Sequence, residues 1–227
     1  MRAPVSVIIP TLNAGTTFAT LLSSLFEGLE SGVIREVIVA DGGSDDTTVM
    51  MAEEVGCFVV MGPEGRGGQI CNGISFAKGD WLLILNADSV LEVGWSCDID
   101  RYFHNPLKAW YFALKFDSSH PMACVTSIWA NQRARWFGLP YGDQGLLVNR
   151  DLLKSVGGYA DLPLMEDVAT AQRLKGRLHS LPFTVTTSAT RFESSGWFRP
   201  GTKNIWRLLR YYAGSSLESL ARDYDRP

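Results

Sequence analysis

Two groups of carboxylates stand where the surrounding sequence suits them to chemistry. Asp88 lies in Asn86-Ala87-Asp88-Ser89, directly after the apolar run Trp81-Leu82-Leu83-Ile84-Leu85. At the rim of a buried strand a carboxylate can bridge an oxygen-seeking divalent cation to a diphosphate, whose own oxygens supply further ligands. The same tetrapeptide serves equally as a turn in which Asp88 accepts backbone hydrogen bonds. Glu166-Asp167 sits between Leu164-Met165 and Val168. A carboxylate shielded there gains basicity and suits proton abstraction. An acidic pair also favours the positive end of a helix dipole, and the two uses are compatible.

Three glycine-bearing loops add polar groups. In Asp41-Gly42-Gly43-Ser44-Asp45-Asp46 the last two residues can cap a helix, whereas Asp41 is placed to accept hydrogen bonds from a base or ribose. Gly62 to Gly68, with Arg66 among four glycines, could wrap a phosphate with backbone amides and a guanidinium. In Tyr141-Gly142-Asp143-Gln144-Gly145 the side chains of Asp143 and Gln144 either line an acceptor pocket or satisfy loop backbone. None of these is the G-x-G-x-x-G fingerprint, and Pro10-Thr11-Leu12-Asn13 stands where a dinucleotide-binding enzyme would place its glycines, which argues against a nicotinamide cofactor. His104, His120 and His179 lack metal-ligand spacing.

The elements that must hold these loops alternate. Val5 to Ile9 is an apolar, β-branched run ended by Pro10 and Asn13, a buried parallel strand. Phe18, Leu21, Leu22, Leu25 and Leu29 recur at helical steps before Gly32. Strands at Glu36 to Ala40, around Cys57 to Met61 and at Trp81 to Leu85, with helices from Thr47 to Val55 and from Gly73 to Ala77, continue the pattern. The expected fold is α/β, a doubly wound, mostly parallel sheet, with ligands beyond the carboxyl ends of the strands. All the polar loops up to Ser89 fall at those ends. After about residue 100 the alternation gives way to mixed aromatic segments such as Trp110 to Leu114, which predict antiparallel strands and loops on an acceptor side.

Composition narrows the class. With 227 residues and 46% hydrophobic content the chain forms one domain, a nucleotide-binding half over 1–100 and an acceptor-side half over 101–227 with a C-terminal helix. A net charge of −3 argues against nucleic acid as a partner. Cys57, Cys71, Cys97 and Cys124 are too scattered for a zinc site or disulfide framework, which fits a reduced, cytoplasmic compartment. No stretch has the length and apolarity of a signal or membrane-spanning segment. The run Asn204 to Tyr212 mixes aromatic, apolar and basic residues, suited to core packing or to peripheral contact with the inner face of a membrane.

Taken in order, Val7 to Asn13, Ala40 to Asp46, Gly79-Asp80-Trp81, Asn86-Ala87-Asp88 and Glu166-Asp167 resemble the family 2 glycosyltransferases, over roughly Val5 to Gly214. The resemblance is nearest to the short bacterial branch without transmembrane segments. It implies the GT-A fold, a nucleotide diphosphate sugar as donor, and inverting transfer to a hydroxyl acceptor, with a lipid-linked one among the candidates. Pro10, Thr11, Asn13, Asp41 and Ser44 are implied to surround the nucleotide, with Arg66, Gln69 and Asn72 near the donor. Asp88 matches the last acidic residue of the D-x-D motif, which binds Mn²⁺ or Mg²⁺, and Asp167 the family's catalytic base, with Glu166 in support. Asn86 replaces the leading aspartate of D-x-D, Ala14 a common glutamate, and Thr190-Arg191 a pair of arginines, leaving Arg191 as the phosphate or acceptor contact. The alternatives are a nucleotidyltransferase, which Glu166-Asp167 disfavours, and a catalytically silent nucleotide-binding or interaction protein, which Asn86 and Ala14 favour.

Overall fold

The structure, a computed structural model, describes residues 3–197, 206–208, 210–211 and 213. Its centre is the strand β1 (Val5–Thr11), every residue of which is buried. Alternate residues serve opposite faces: Val5, Val7 and Ile9 enter one apolar cluster and Ile8 the other. The first cluster is closed by α1 (Gly15–Glu30), through Phe18, Leu21, Leu22 and Leu25. The second is closed by α3 (Arg66–Phe76), through Ile70. Helices on both faces are the reason β1 reads as a nearly unbroken apolar run rather than an alternating one.

Around β1 lie β2 (Ile34–Asp41), β3 (Phe58–Met61) and β4 (Trp81–Ile84), all parallel, with α2 (Thr48–Glu54) between β2 and β3. The sheet then becomes mixed. β5 (Val90–Leu91), β6 (Ala109–Phe116), β7 (Leu146–Asn149) and β8 (Leu178–Thr187) complete an eight-stranded order β3-β2-β1-β4-β7-β6-β8-β5. β7 is antiparallel to both β4 and β6, and β8 runs parallel to β6. The helices of this half are α4 (Asp100–Phe103), α5 (Pro121–Phe137), α6 (Arg150–Ser155), α7 (Glu166–Arg173) and α8 (Thr190–Ser195). All four cysteines are free thiols, and no described helix is long and apolar enough to cross a membrane.

Several boundaries differ from expectation for definite reasons. β1 runs through Pro10, because pairing with β4 ends at Ile8 while Pro10 and Thr11 still pair with β2. The side that Pro10 leaves without a donor therefore faces no strand. α3 begins at Arg66, not Gly73, so Gly67 and Gly68 are helical and not part of a phosphate-wrapping loop. A Cβ on Gly67 would stand 2.5 Å from the Leu162 carbonyl oxygen, and glycine is what allows that chain to cross so near. Leu29 is exposed. Gly28 takes the inward position instead, where Trp95 and Ile34 fill the space of a side chain. The long helix α5, in the region expected to hold strands and loops, is a further departure.

Candidate active site

The loops expected to receive a nucleotide join at the carboxyl ends of β1 and β2. Asp41 is fully buried and saturated: Thr11 Oγ1 and Ser44 Oγ donate to Oδ2 at 2.7 and 2.6 Å, and the Gly43 and Ser44 amides to Oδ1 at 2.8 and 2.7 Å. Burial pushes its pKa up, but those donors outweigh it and hold the carboxyl below the usual range. Asp41 thus shapes the loop from within. Asn13, in a left-handed conformation at φ 52°, accepts from the Asp45 amide at 2.9 Å and donates its own amide to Ser44 Oγ at 2.8 Å. Asp46 caps α2 through the Thr48 amide, as its position at the helix start predicts, and also accepts from the Gly15 amide.

Gln69 is buried in α3, and its amide nitrogen donates to the carbonyls of Thr11 and Ala40 at 2.7 and 2.8 Å. It straps the ends of the two strands together. Asn72 reaches the Met61 carbonyl at 3.4 Å. Pro10 is buried within the strand and Ser44 is committed to Asp41.

A second group gathers beyond β4, around a single 3₁₀ turn at Gly142–Gln144. The Gly142 amide donates to Asp167 Oδ2 at 2.8 Å, and the Val168 amide to Oδ1 at 2.7 Å. A Cβ on Gly142 would lie 3.5 Å from Asn86 Oδ1 and 3.7 Å from Asp167 Oδ2, so Asn86 and Asp167 flank the same glycine. Both line a pocket walled by Ile70, Ile84, Leu146, Tyr159 and Leu174. Asp167 enters it from the first turn of α7, launched by Met165 in a left-handed conformation at φ 62°. A side chain pays for that backbone with strain, a feature that concentrates at functional sites.

Glu166, beside it, is buried and ion-paired to Arg66 Nη1 at 3.6 Å. Burial and the neighbouring Asp167 charge push its pKa up to about 7 against the pull of Arg66. It positions Arg66 rather than facing the pocket with Asp167. Asp143 is pushed to about 6, first by burial, then by the charges of Asp167 and Asp88, with Arg133 and Arg66 opposing. Its Oδ1 is buried and has no hydrogen-bond partner among the described residues. Gln144, by contrast, satisfies backbone. It is fully buried and donates to the Phe112 carbonyl at 3.3 Å, on the edge of β6 where pairing with β7 has ended at Trp110. Arg133 of α5 holds this turn, with Nε on the Leu139 carbonyl, Nη2 on Gln144 Oε1 and its guanidinium 3.3 Å over the Tyr141 ring.

Asp88 Oδ2 accepts from Thr187 Oγ1 at 2.8 Å. Thr187 carries no signal in the sequence, since only the sheet brings the end of β8 to this loop. Among the described residues no cluster of three or more His, Cys, Asp or Glu side chains could hold a metal. Asp88, with Asp143 close enough to feel its charge, offers oxygen donors only. That fits a hard divalent cation whose remaining ligands come from phosphate, not a closed protein cage. Arg191 lies in the first turn of α8, but its side chain lies outside the described residues. So does much of 204–212, where Trp206 is exposed and Arg207 buried.

A parallel four-stranded part continued by mixed strands is the arrangement of the GT-A fold. Residues 6–113 match glycosyl transferase family 2. An uncharacterized glycosyltransferase of Rickettsia felis is 33% identical over 44% of this chain and 35% of its own length. One from Rickettsia conorii is 35% identical over the same shares. The chain thus spans about a third of the length of these relatives. Two solved structures share the fold. S. aureus TarS in complex with UDP superimposes with a TM-score of 0.62 at 19% identity, over 83% of this chain and 62% of that one. Glucosyl-3-phosphoglycerate synthase from Mycobacterium tuberculosis, in complex with Mn²⁺, UDP and glucosyl-3-phosphoglycerate, gives 0.52 at 19% identity over 82% and 70%.

Proposed function

We propose that this chain transfers a sugar from a nucleotide diphosphate sugar to a hydroxyl acceptor, with inversion at the anomeric carbon and Asp167 as the base. The observation that carries the reading is the placement of Asp167. Its carboxylate is fixed by two backbone amides beside Asn86 in a largely apolar pocket, and only β1 separates the β4 end from the Asp41 loop at the end of β2. UDP in the two fold relatives supports a nucleotide diphosphate as donor.

In this reading the Asp41 loop, fixed from within by Thr11, Ser44 and Gln69, receives the nucleotide with Asn13 at its outer edge. Arg66, held by Glu166, sets positive charge beside the carboxylates. Asp167 takes the acceptor hydroxyl proton as the new oxygen–carbon bond forms. The bond from the anomeric carbon to the diphosphate oxygen breaks on the opposite face, and the nucleoside diphosphate departs with that electron pair. General-base assistance of this kind is worth about 10²- to 10⁴-fold. Asp88, supported by Thr187, would hold Mn²⁺ or Mg²⁺, which when bound supplies Lewis-acid neutralisation of the leaving diphosphate.

The test joins binding to turnover. A thermal-shift screen against UDP, GDP, CMP and TDP and their sugars, with and without Mn²⁺, is expected to show one metal-dependent rise in melting temperature. Asp167→Asn should keep that rise and lose donor turnover. Binding with no turnover in the unaltered protein would favour a silent nucleotide-binding protein, and absence of any shift would remove the transferase reading.

A further inference from the structure

The helix α5 (Pro121–Phe137) is built inside out. The side chains it turns to the sheet are small: Ala123, Ser127, Ala130 and Ala134 are its buried residues. At 100° per residue these fall on one side, and Val125, Ile128, Trp129 and Trp136 fall on the opposite one. Those four are 55%, 56%, 49% and 67% exposed. A contiguous apolar stripe with two tryptophans on the outer face of a helix marks an interaction surface, since scattered single residues would need no explanation but a row does.

We propose that this outer face of α5 docks on an anionic lipid bilayer. Charge complementarity selects the occupant. The chain as a whole is acidic at −3, yet α5 contains no Asp or Glu; of its two arginines Arg133 turns inward onto Gln144 and Tyr141, and Arg135 stands on the flank of the stripe. Arg135 is exposed. Tryptophans beside an exposed arginine, with no acidic residue, on a helix too short and too polar to span, form the composition that lies in the interfacial plane with its apolar side sunk into the acyl boundary. Here the domain itself takes the place of the helix's polar face, because the small residues let α5 lie flat on β6. Asn131 fixes that seating by pairing with the Leu114 amide and carbonyl at 2.8 and 3.1 Å.

Docking would bring the reaction centre to the lipid surface. α5 ends at Gly138 and continues through Leu139 and Pro140 into the turn whose Gly142 amide holds Asp167. An acceptor hydroxyl carried on a lipid is the class that this orientation favours. That consequence rests on the proposed transfer reaction; the docking does not.

Co-sedimentation with vesicles tests the docking without donor or acceptor. The full chain should pellet with vesicles of phosphatidylglycerol and phosphatidylcholine and stay in solution with phosphatidylcholine alone. Trp129→Ser with Trp136→Ser should lower partition about tenfold or more, and Arg135→Glu should weaken binding to the anionic vesicles, with far-ultraviolet circular dichroism and melting temperature unchanged in both. No pelleting of the unaltered chain, or pelleting indifferent to these substitutions, overturns the proposal. So does a concentration-dependent dimer in sedimentation velocity that the tryptophan variant abolishes, which would assign the stripe to a second copy. Turnover with a soluble acceptor separates the two claims, because it survives loss of docking.

Discussion

At the scale of single residues the proposed site divides into groups offered to a ligand and groups that hold them. Asp41, offered by the sequence as a contact to a base or ribose, and Gln69, set near the donor by the resemblance, hold the protein itself: the Asp41 carboxylate accepts four hydrogen bonds and the Gln69 amide nitrogen donates two. Asp88 and Asp167 keep their carboxylates at the site. Thr187 belongs with the holders, for it orients Asp88 by one hydroxyl bond, and groups of this kind tune a cation's affinity without touching it. Thr187→Val should therefore weaken Mn²⁺-dependent nucleotide binding by about 10-fold or more while metal-free binding stays as it was. Calorimetric titration with and without Mn²⁺ reads both. Equal affinities for the variant and the unaltered protein in the presence of metal would remove Asp88 from the cation site.

At the scale of elements, legibility followed the size of the buried side chains. β1, β2 and β4 are visible as apolar runs, and α1 through Phe18, Leu21, Leu22 and Leu25, because large residues face inward with a clear period. α5 hides for the converse reason: its inward residues are alanines and a serine, and its large residues point out. Only its ends announce it, Pro121 in the first turn and Gly138 in the left-handed position after the last. α3 is obscured by Gly67 and Gly68, which read as loop but permit close packing against Leu162. The resemblance already separates Asp167 as base from Glu166 in support, whereas the ion pair of Glu166 with Arg66 and the burial of Gln144 needed the fold. Gly67→Ala tests the α3 reading. Its methyl would meet backbone at 2.5 and 2.7 Å, so a loss of about 1–3 kcal/mol is expected, with weaker donor binding as Arg66 shifts. Gly62→Ala meets only the flexible Asn72 side chain, at 3.1 Å, and should be tolerated. Denaturant unfolding of both variants decides, and equal midpoints would show that the crossing relaxes freely.

At the scale of the whole molecule, the carboxylates collected at the site set how stability depends on pH. Asp143 and Glu166 have folded-state values of about 6 and about 7, above the ordinary 3.8 and 4.5. Between the ordinary and the raised values the folded protein binds more protons than the unfolded one, so stability falls as pH rises through that interval. Asp41 acts with the opposite sign. Its lowered pKa stabilises the fold above the ordinary range, and that contribution is lost as pH falls. Without nucleotide or divalent cation, the melting temperature should be higher at about pH 5.5 than at about pH 8, by an amount on the order of a few kcal/mol in unfolding free energy. Asp143→Asn with Glu166→Gln should flatten that difference by removing the buried charges, and should raise the value at pH 8. A melting temperature that is level or rising between those pH values in the unaltered protein would show that these carboxylates are not held against their ionisation. The expected slope follows from buried carboxylates crowded around Asp167: their mutual repulsion and burial cost the protein stability, and in the proposed function a bound cation would offset it.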